Sequence, residues 1–293
     1  MKKTFFPEEF LKKYKILLKD EWEEFLETIS QKEPKSIWIN TNKIRVNELE
    51  QKMLEKNIIL KKYSFSNQAF KINYKKPGDL EEYKNGEISI QEMASMLPAI
   101  ALNPSKDDLV LDACAAPGMK TIQLSNMAKN VIACDVNEKR TQILIHNKNR
   151  FGLNNTQIKR IDVRNIKQKF DKILLDAPCS SEGLVRKKRD ALTEWNQKLV
   201  ERKAVTQKEL LLYCFDLLKT NGEIVYSTCS FAPEENEEVI LHLLKNKKNA
   251  ITIPIKLDGL KIRKNDLCEN CVRLYPQDNN TQQFFLAKIK KIN

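Results

Sequence analysis

Along most of this chain, short apolar runs are followed by longer segments in which apolar residues recur at helical spacing. From residue 109 onward the units repeat, and this order predicts a parallel sheet with helices on both faces. The predicted strands are 109–112, 131–135, 157–161, 172–176 and 223–228, and the predicted helices are 119–128, 137–150, 194–219 and 233–245. A last strand is predicted at 284–288. This part of the chain is therefore predicted to be an α/β, Rossmann-like domain.

The first part of the chain predicts a smaller α+β unit. Its predicted elements are helices at 7–31 and 46–57 and strands at 36–40, 58–63 and 68–73. The β-α-β-β order is typical of a small RNA-recognition-like domain, although no aromatic RNA-stacking signature is present. The alternative is a cap that packs on the next domain. Pro77-Gly78 marks a boundary, so we predict an accessory, RNA-binding domain at 1–75 and a catalytic domain at 76–293, which opens with a strand at 86–90 and a helix at 91–102.

The turn after the first predicted parallel strand has an unusual composition, Asp112-Ala-Cys-Ala-Ala-Pro-Gly-Met-Lys-Thr121. Its alanines keep the turn thin, and Gly118 permits backbone angles that other residues resist. Backbone N–H groups at the start of the next helix would then face a carboxylate or a phosphate. The turn is neither a dinucleotide fingerprint nor a P-loop, because it has a single glycine and Met119 separates that glycine from Lys120. An ordinary strand-to-helix turn is the alternative.

Acidic residues lie at the ends of four predicted strands. They are Asp112, Asp135, Asp162 and Asp176. One such residue is common because turns favour aspartate, but four at one sheet edge indicate a ligand site. Asp135 follows Asp112 at about the distance at which a Rossmann-like fold places its ribose-binding acid. The alternative is that all four simply form turns.

Two cysteines follow the last two predicted parallel strands. Cys179 lies in Asp176-Ala-Pro-Cys-Ser-Ser181, and Cys229 lies in Tyr226-Ser-Thr-Cys-Ser230. A thiol near a helix start and basic residues can have a lowered pKa and act as a nucleophile. Each cysteine alone would more often be structural. Together, beside a nucleotide-type turn, they suggest covalent catalysis.

Cys268-Glu-Asn-Cys271 has the spacing of a metal site. Zinc requires four ligands, and neither a second cysteine pair nor a nearby histidine accompanies these two. We therefore predict no metal, and a local disulfide or two free thiols remain open. The odd total of seven cysteines favours thiols over a disulfide framework.

The charge of the chain points to a polyanionic partner. Lysine and arginine number 51 against 39 acidic residues, a formal net charge of +12. Nucleic acid is the usual partner of such a protein, and a solvated lysine surface is the alternative. No apolar run is long enough to span a membrane, and the cationic start lacks the apolar core of a signal peptide, so we expect a cytoplasmic, monomeric protein.

The chain contains three motifs, at 112–121, at 176–180 (Asp-Ala-Pro-Cys-Ser) and at 227–230 (Ser-Thr-Cys-Ser). Together they resemble the motifs of the NOL1/NOP2/Sun (RsmB) family of RNA cytosine-5 methyltransferases. The resemblance covers about residues 86–290 and is closest to short archaeal tRNA cytosine-5 methyltransferases, partly through Arg273-Leu-Tyr-Pro-Gln and Phe284-Phe. It implies a Rossmann-like S-adenosylmethionine-dependent methyltransferase fold, S-adenosyl-L-methionine as cofactor and RNA, expected to be tRNA, as partner.

The resemblance also implies roles for individual residues. The turn Cys114, Ala115, Ala116, Pro117, Gly118, Met119 and Lys120 would hold the methionine part of the cofactor, with Lys120 near its carboxylate. Asp135 would bind the ribose, with Arg140 close by, and Asp162 the adenine amino group. Asp176 would lie between the cofactor and the target base. Cys229 would be the nucleophile that adds to carbon 6 of cytosine, and Cys179 would assist release of the product.

The sequence departs from the family at two positions. Met119 replaces a second glycine of the turn, and Arg189 replaces a proline after Gly183-Leu-Val-Arg-Lys187. Arg186 in that segment is predicted to contact RNA or the active site. With no RNA-binding domain after residue 293 in this sequence, residues 1–75 and the basic catalytic face are expected to hold the RNA.

Three other functions are alternatives. An rRNA could replace tRNA as the substrate. A DNA cytosine-5 methyltransferase would carry its nucleophile in the Pro-Cys motif, which would leave Ser227-Thr-Cys-Ser230 without a role. A non-catalytic RNA-binding assembly factor could retain the fold, but retention of Lys120 with both cysteines argues against it.

Overall fold

A computed structural model of the protein describes residues 6–188, 190–265 and 267–293. Arg189, one of the two departures from the family pattern, lies outside the described residues. None of the described helices is both long and apolar enough to cross a membrane.

The N-terminal part consists of two helices followed by a small sheet with its own helices. Its elements are α1 Glu8–Leu18, α2 Trp22–Ser30, β1 Ser36–Ile39, α3 Val46–Glu55, β2 Leu60–Lys62, β3 Ala69–Ile72, α4 Glu81–Lys84 and β4 Ile88–Ile90. The described strands form an antiparallel sheet in the order β2-β3-β1-β4. This is the β-α-β-β-α-β arrangement of ferredoxin-like domains. The sheet continues to Ile90, past the boundary that the sequence predicts between residues 75 and 76, and that boundary stays a prediction.

Both faces of the small sheet are covered by protein. Alternate residues of a strand point to opposite faces, and in β1 Ile37 and Ile39 pack with α3 residues such as Leu49. Trp38 points the other way and packs with Met96 and other residues of the second domain, while its indole N–H donates to Asn126 Oδ1 at 3.1 Å. The face with which an RNA-recognition sheet stacks bases is therefore occupied.

The first two helices pack on the second domain rather than on the small sheet. Phe10, Tyr14 and Phe25 are completely buried against residues such as Trp195 and Phe231. The rings of Phe10 and Trp195 meet edge to face, 5.4 Å between centroids. Residues 8–30 thus share a hydrophobic core with the second domain.

The predicted single helix at 7–31 is instead two α-helices separated by a 3₁₀ turn at Lys19–Glu21. Lys19 has φ 48°, a left-handed conformation that ends the first helix. The turn places the Glu21 carboxylate against the Arg263 guanidinium, 2.7 Å between Oε1 and Nη1. The interruption therefore links this segment to the second domain.

The second domain contains α5 Met93–Leu102, β5 Leu109–Asp112, α6 Met119–Met127, β6 Asn130–Asp135, α7 Glu138–Phe151, β7 Thr156–Arg160, β8 Phe170–Asp176, α8 Gln197–Asp216, β9 Leu218–Thr228, α9 Glu237–Asn246, β10 Ala250–Ile253, β11 Arg263–Asn265, β12 Cys268–Leu274, α10 Pro276–Asn279 and β13 Phe284–Lys291. Strands β7, β6, β5, β8 and β9 are parallel neighbours in that order. Antiparallel β13 follows β9 and also pairs with β10 and β12. Helices α5 and α6 pack on one face, and α8 and α9 on the other. The predicted Rossmann-like sheet is confirmed.

Three of the helix limits predicted in this domain are wrong. The helix predicted at about 194–219 begins at Gln197 and ends at Asp216, because Leu218 already pairs with Phe170 in the sheet. The helix predicted to begin at residue 233 begins at Glu237, after a 3₁₀ turn at Pro233–Glu235. In that turn Glu235 is completely buried, so the segment serves the interior and not the start of a helix.

The shared core predicts that α1 contributes to the stability of the catalytic domain. Replacing Phe10 with alanine should lower the free energy of unfolding by about 3 to 5 kcal/mol, because it leaves a cavity among aromatic rings. Ile16→Ala is the matched control, since Ile16 lies on the same helix and is 77% exposed, and it should change stability by no more than about 0.5 kcal/mol. Urea denaturation followed by fluorescence measures both. Equal, small effects would show that α1 is only peripherally attached.

Candidate active site

The turn between β5 and α6 has the tight geometry that its sequence predicts. Gly118 precedes the helix with φ 106°, and its N–H donates to the Ala115 carbonyl at 2.8 Å. A Cβ at this position would lie 2.7 Å from the side chain of Leu144, so both the backbone angle and the space require glycine. Met119 is the first residue of α6, where a side chain is tolerated in place of the second glycine of the family.

Residues of β6 and α7 hold this turn in place. The Asp135 carboxylate accepts the N–H of Ala116 at 3.2 Å. The Arg140 guanidinium donates to the Ala116 carbonyl and lies 3.5 Å from the Asp135 carboxylate. Asn147 donates to the Pro117 carbonyl at 2.8 Å. Asp135, at the end of β6, therefore holds the turn in place, and its side chain also lines a cavity beside the turn.

A cavity of about 460 Å³ opens at the carboxyl edge of the sheet. Of the residues predicted for the site, those lining it are Cys114, Ala116, Pro117, Met119, Lys120, Arg140, Asp176, Cys179 and Cys229. A smaller cavity of about 160 Å³ adjoins it and is lined by Asp135 and Asp162. The two share Cys114, Arg140 and Pro178 as walls. Ala115 and Gly118 shape the turn from behind and line neither cavity.

Asp162 and Asp112, two of the four strand-end acids, have different environments. Asp162 accepts three hydrogen bonds from Arg164, which hold the pKa of the carboxyl below its usual value. Asp112 is buried under the turn and accepts the Thr121 hydroxyl at 2.7 Å. Burial raises the pKa of Asp112 to about 7. Asp112 is thus a structural residue, while the other three acids line the cavities.

Asp176 lies at the centre of the polar wall of the large cavity. Its carboxylate accepts the Lys120 ammonium at 2.7 Å and the Ser227 hydroxyl at 2.8 Å. These two donors occupy one oxygen each, so the carboxylate is held in a fixed orientation with lone pairs still available. The side chain remains 31% exposed to the cavity.

The two predicted catalytic cysteines meet at this edge. Cys179 follows β8 and Cys229 follows β9, and their sulfur atoms are 3.3 Å apart. The hydrogen bond with Cys179 and then burial raise the pKa of the Cys229 thiol well above its ordinary value. The Lys120 ammonium opposes this rise. The parallel neighbours β8 and β9 thus bring together residues distant in sequence.

Buried Glu235, which comes after Cys229 in the chain, holds the loop that contains Cys179. It accepts the Ser180 N–H at 2.9 Å and the Ser180 hydroxyl at 2.5 Å. Gln207 of α8 donates to Glu235 at 2.9 Å and to the Pro178 carbonyl at 3.1 Å. Both neighbours of Cys179 are therefore fixed.

Buried Glu182, which comes after Cys179, holds the loop that contains Cys229. It accepts the Ser230 hydroxyl at 2.9 Å and the Phe231 N–H at 2.7 Å. It also accepts the hydroxyl of Tyr14 at 2.8 Å, which ties α1 to the same point. We call Glu182 and Glu235 the glutamate pair. Glu182 follows Cys179 in sequence but holds the loop of Cys229, and Glu235 follows Cys229 but holds the loop of Cys179.

The sequence patterns do not indicate the glutamate pair. Glu235 falls in the first turn of the helix predicted at 233–245, and Glu182 belongs to no predicted element. The available signal is Ser180-Ser181, which directly precedes Glu182. Serine hydroxyls and N–H groups in a buried turn need a strong hydrogen-bond acceptor, and a glutamate can supply it.

Arg186, predicted to contact RNA or the active site, binds protein groups and also lines a second large cavity beside the first. It is buried, and its guanidinium donates to the Thr281 carbonyl at 2.8 Å and to Asn280 Oδ1 at 2.7 Å.

Cys268 and Cys271 form a disulfide, and no group of three or more potential metal ligands occurs in the described residues.

The glutamate pair predicts how readily the two sulfurs react with each other. Mild oxidation with diamide should link Cys179 to Cys229, because their sulfurs are already close. Glu235→Gln should slow this reaction about tenfold, since replacing an acceptor of several hydrogen bonds costs about 1.5 to 3 kcal/mol. Mass spectrometry of unreduced peptides measures the rate. Glu238→Gln, an exposed neighbour, is the control, and equal rates in the two variants would contradict the proposed restraint.

Comparison with known proteins gives matches along nearly the whole chain. Residues 99–290 match the family of the 16S rRNA methyltransferase RsmB/F, and residues 6–93 match the N-terminal domain of the 16S rRNA methyltransferase RsmF. The tRNA (cytosine(49)-C(5))-methyltransferase of Pyrococcus abyssi is 35% identical, with 98% of this chain and 99% of the relative covered.

Two further relatives act on ribosomal RNA according to their names. The ribosomal RNA small subunit methyltransferase F of Vibrio parahaemolyticus is 34% identical over 98% of this chain, which spans 64% of that protein's length. The 28S rRNA (cytosine-C(5))-methyltransferase of Mus musculus is 35% identical over 92% of this chain and 37% of the relative.

Solved structures agree with the described fold. A methyltransferase homologue from Pyrococcus horikoshii has a TM-score of 0.83 at 30% identity, with 93% of this chain and 91% of that chain covered. NSun6 from the same organism, solved with SFG, has a TM-score of 0.88 at 21% identity over 99% of both chains and supports the fold alone. On its motifs, its fold and these relatives, the chain belongs to the RsmB/F family of S-adenosylmethionine-dependent RNA cytosine-5 methyltransferases.

Proposed function

We propose that this protein methylates carbon 5 of a cytosine in tRNA through a covalent bond between Cys229 and carbon 6 of the base. The observation that carries the proposal is the pair of sulfurs, 3.3 Å apart, in a cavity that also contains Asp176 and Lys120. Carbon 5 of cytosine is a poor nucleophile until a thiolate adds at carbon 6. A cavity with two thiols and a carboxylate suits this reaction better than direct transfer.

The residues along the two cavities fit S-adenosylmethionine. Lys120 supplies a cation for its carboxylate, and Asp135 and Asp162 supply acceptors for the ribose hydroxyls and the adenine amino group. The required glycine at 118 keeps the turn close to the cavity floor. When bound, the cofactor supplies a methyl group on a positively charged sulfur.

Asp176 has the position and partners of a group that holds the cytosine ring. Its orientation is fixed by Lys120 and Ser227. In its protonated form, the carboxyl would donate to the ring nitrogen and accept from the amino group, and so stabilise the negative charge that develops when a thiolate adds. The base must leave its stack to reach this depth, so single-stranded or flipped cytosine is the expected substrate.

The two cysteines have successive roles in the proposed reaction. The Cys229 thiolate adds to carbon 6, and the displaced electron pair makes carbon 5 the nucleophile that accepts the methyl group, while the electrons of the broken carbon–sulfur bond stay on the sulfur. Cys179, as its thiolate, then takes the proton from carbon 5 and becomes a thiol. The electrons of that C–H bond form the carbon 5–carbon 6 double bond as the sulfur of Cys229 leaves, so the thiolate is regenerated and the base is aromatic again.

A tRNA substrate is supported by the archaeal relative, whose length matches this chain almost completely. The rRNA relatives are longer and extend beyond the matched part. Bisulfite sequencing of tRNA and rRNA from a strain that lacks the gene separates the two. Loss of a methylated cytosine in rRNA, with tRNA unchanged, would replace tRNA by rRNA in this proposal.

The proposed mechanism predicts the order in which the two cysteines act. Cys179→Ala should still form the bond to carbon 6 but release it slowly, so a covalent RNA–protein species should accumulate in the presence of S-adenosylmethionine. Cys229→Ala should form none and should not methylate. A denaturing gel with labelled RNA measures both.

Cys214→Ala is the control for these variants, because Cys214 is buried away from the cavity in the sheet core. It should methylate like the unaltered protein. A covalent species from Cys229→Ala, with none from Cys179→Ala, would reverse the roles and match the mechanism of a DNA-type enzyme.

The second prediction places the adenine. Asp162→Ala should weaken the binding of S-adenosylmethionine by about tenfold or more, because a hydrogen bond to a charged group contributes about 1.5 to 3 kcal/mol. Isothermal titration calorimetry measures the affinity. Asp107→Ala, an exposed acid on the loop before β5, is the control and should leave it unchanged. Unchanged affinity in Asp162→Ala would place the adenine elsewhere.

A further inference from the structure

A second large cavity lies beside the proposed catalytic one and has no role in the chemistry described above. Its volume is about 460 Å³, and it shares the walls Ile90, Gln91, Glu92 and Lys187 with the catalytic cavity. Residues 32–36 after α2 and 76–79 before α4 form its other sides. These shared walls place the second cavity next to the one proposed to hold the target cytosine.

The rim of this cavity is basic. Lys32, Lys35, Lys76 and Lys187 line it and are exposed to solvent. The acidic residues on its wall are Glu33, Asp79 and Glu92. Glu92 is buried and is engaged with Thr281 and with the N–H groups at the start of α5. Four ammonium groups around an opening suit phosphates of a nucleic-acid backbone, although the ammonium of Lys35 already donates to the Lys75 carbonyl.

Inside the rim, Glu33 lacks a hydrogen-bond donor. Its Oε2 atom is buried and accepts no hydrogen bond from any described residue. Burial, and then the charge of Glu92, raise the pKa of this carboxyl to about 7, and N–H donors from a ligand would favour its ionised form. Gln91, on the wall between the cavities, has a buried carbonyl oxygen in the same condition. An acceptor left in this state costs about 1 to 3 kcal/mol, so a ligand with N–H groups would gain by satisfying it.

The backbone beside Glu33 is held in place before any ligand binds. Arg186 donates to the carbonyls of Gln31 and Lys32, at 3.3 Å each. Its other donors reach Thr281 and Asn280. The segment that carries Glu33 is therefore fixed to the catalytic domain, as a recognition site requires.

We propose that this second cavity binds the nucleotide adjacent to the target cytosine and that Glu33 selects guanine there. The inference rests on the proposed function for the identity of the substrate. The lysines hold the phosphate, while the carboxylate of Glu33 accepts hydrogen bonds from the base.

Guanine is the base whose edge best matches an ionised carboxylate. It presents two adjacent donors, N1–H and the N2 amino group, to the two oxygens of one carboxylate. Adenine and cytosine place a bare ring nitrogen beside their amino group, and uracil has one donor between two carbonyls. Each of these would leave a carboxylate oxygen facing another acceptor, which is unfavourable in a buried site.

The test measures binding and methylation separately. RNA oligonucleotides with one cytosine, and with each of the four bases on either side of it, are titrated by fluorescence anisotropy. The unaltered protein should bind the oligonucleotide with guanine at one flanking position about tenfold more tightly than the others. Glu33→Gln should abolish this preference, because its amide places a donor against a donor of guanine. Equal binding of all oligonucleotides, or an unchanged preference in Glu33→Gln, would overturn the proposal.

Two further variants control the test. Glu50→Gln, an exposed change on α3, should keep the guanine preference. Lys76→Ala should weaken binding of all the oligonucleotides alike and reduce its salt dependence, and selective weakening of one oligonucleotide would contradict its role as a phosphate contact. Methylation of the same oligonucleotides is followed in parallel. Methylation without a guanine preference removes this inference alone, whereas a preference lost in Glu33→Gln without methylation by the unaltered protein removes the proposed function alone.

Discussion

The candidate active site depends on two buried carboxylates, each of which holds one of the two cysteine loops. Glu235 binds the loop that carries Cys179, and Glu182 binds the loop that carries Cys229. A buried carboxylate costs free energy unless several donors surround it, and here every donor comes from the cysteine loops or from elements that support them. The restraint is therefore reciprocal. Displacing either loop would remove two donors from the glutamate that holds it, although Gln207 would remain on Glu235 and Tyr14 on Glu182. The burial of both acids therefore favours the observed distance between the sulfurs.

The main sheet and the residues around the cavity could be predicted from sequence, because local patterns determine them. Period-two and helical spacings place β5, β6 and β8 within one or two residues, and the strand-end acids follow from parallel pairing. The glutamate pair could not be predicted in this way. An acid that follows a proline is indistinguishable in sequence from one that stabilises a helix start, and only tertiary packing turns Glu235 inward.

The small sheet shows a second limit of sequence reasoning. Its strand order could be anticipated as RNA-recognition-like, but Trp38 and Ile37 cover opposite faces, so neither face is free to stack bases. Hydrophobic alternation does not reveal this, because Trp38 and its neighbours Ile37 and Ile39 are all apolar although they point to opposite faces of the sheet. The RNA binding predicted for this domain would therefore use its edges and loops. The loop at 32–36, which opens onto the second cavity, is one of them.

The charges around Cys229 then connect binding to chemistry in the proposed reaction. Its raised pKa means that the free site favours the thiol over the thiolate that the proposed addition requires. Lys120 is the cation that favours the thiolate, but it is paired with Asp176. In the proposed complex the ammonium would also face the carboxylate of the cofactor. How far Lys120 favours the Cys229 thiolate would then depend on how its charge is divided between that carboxylate and Asp176.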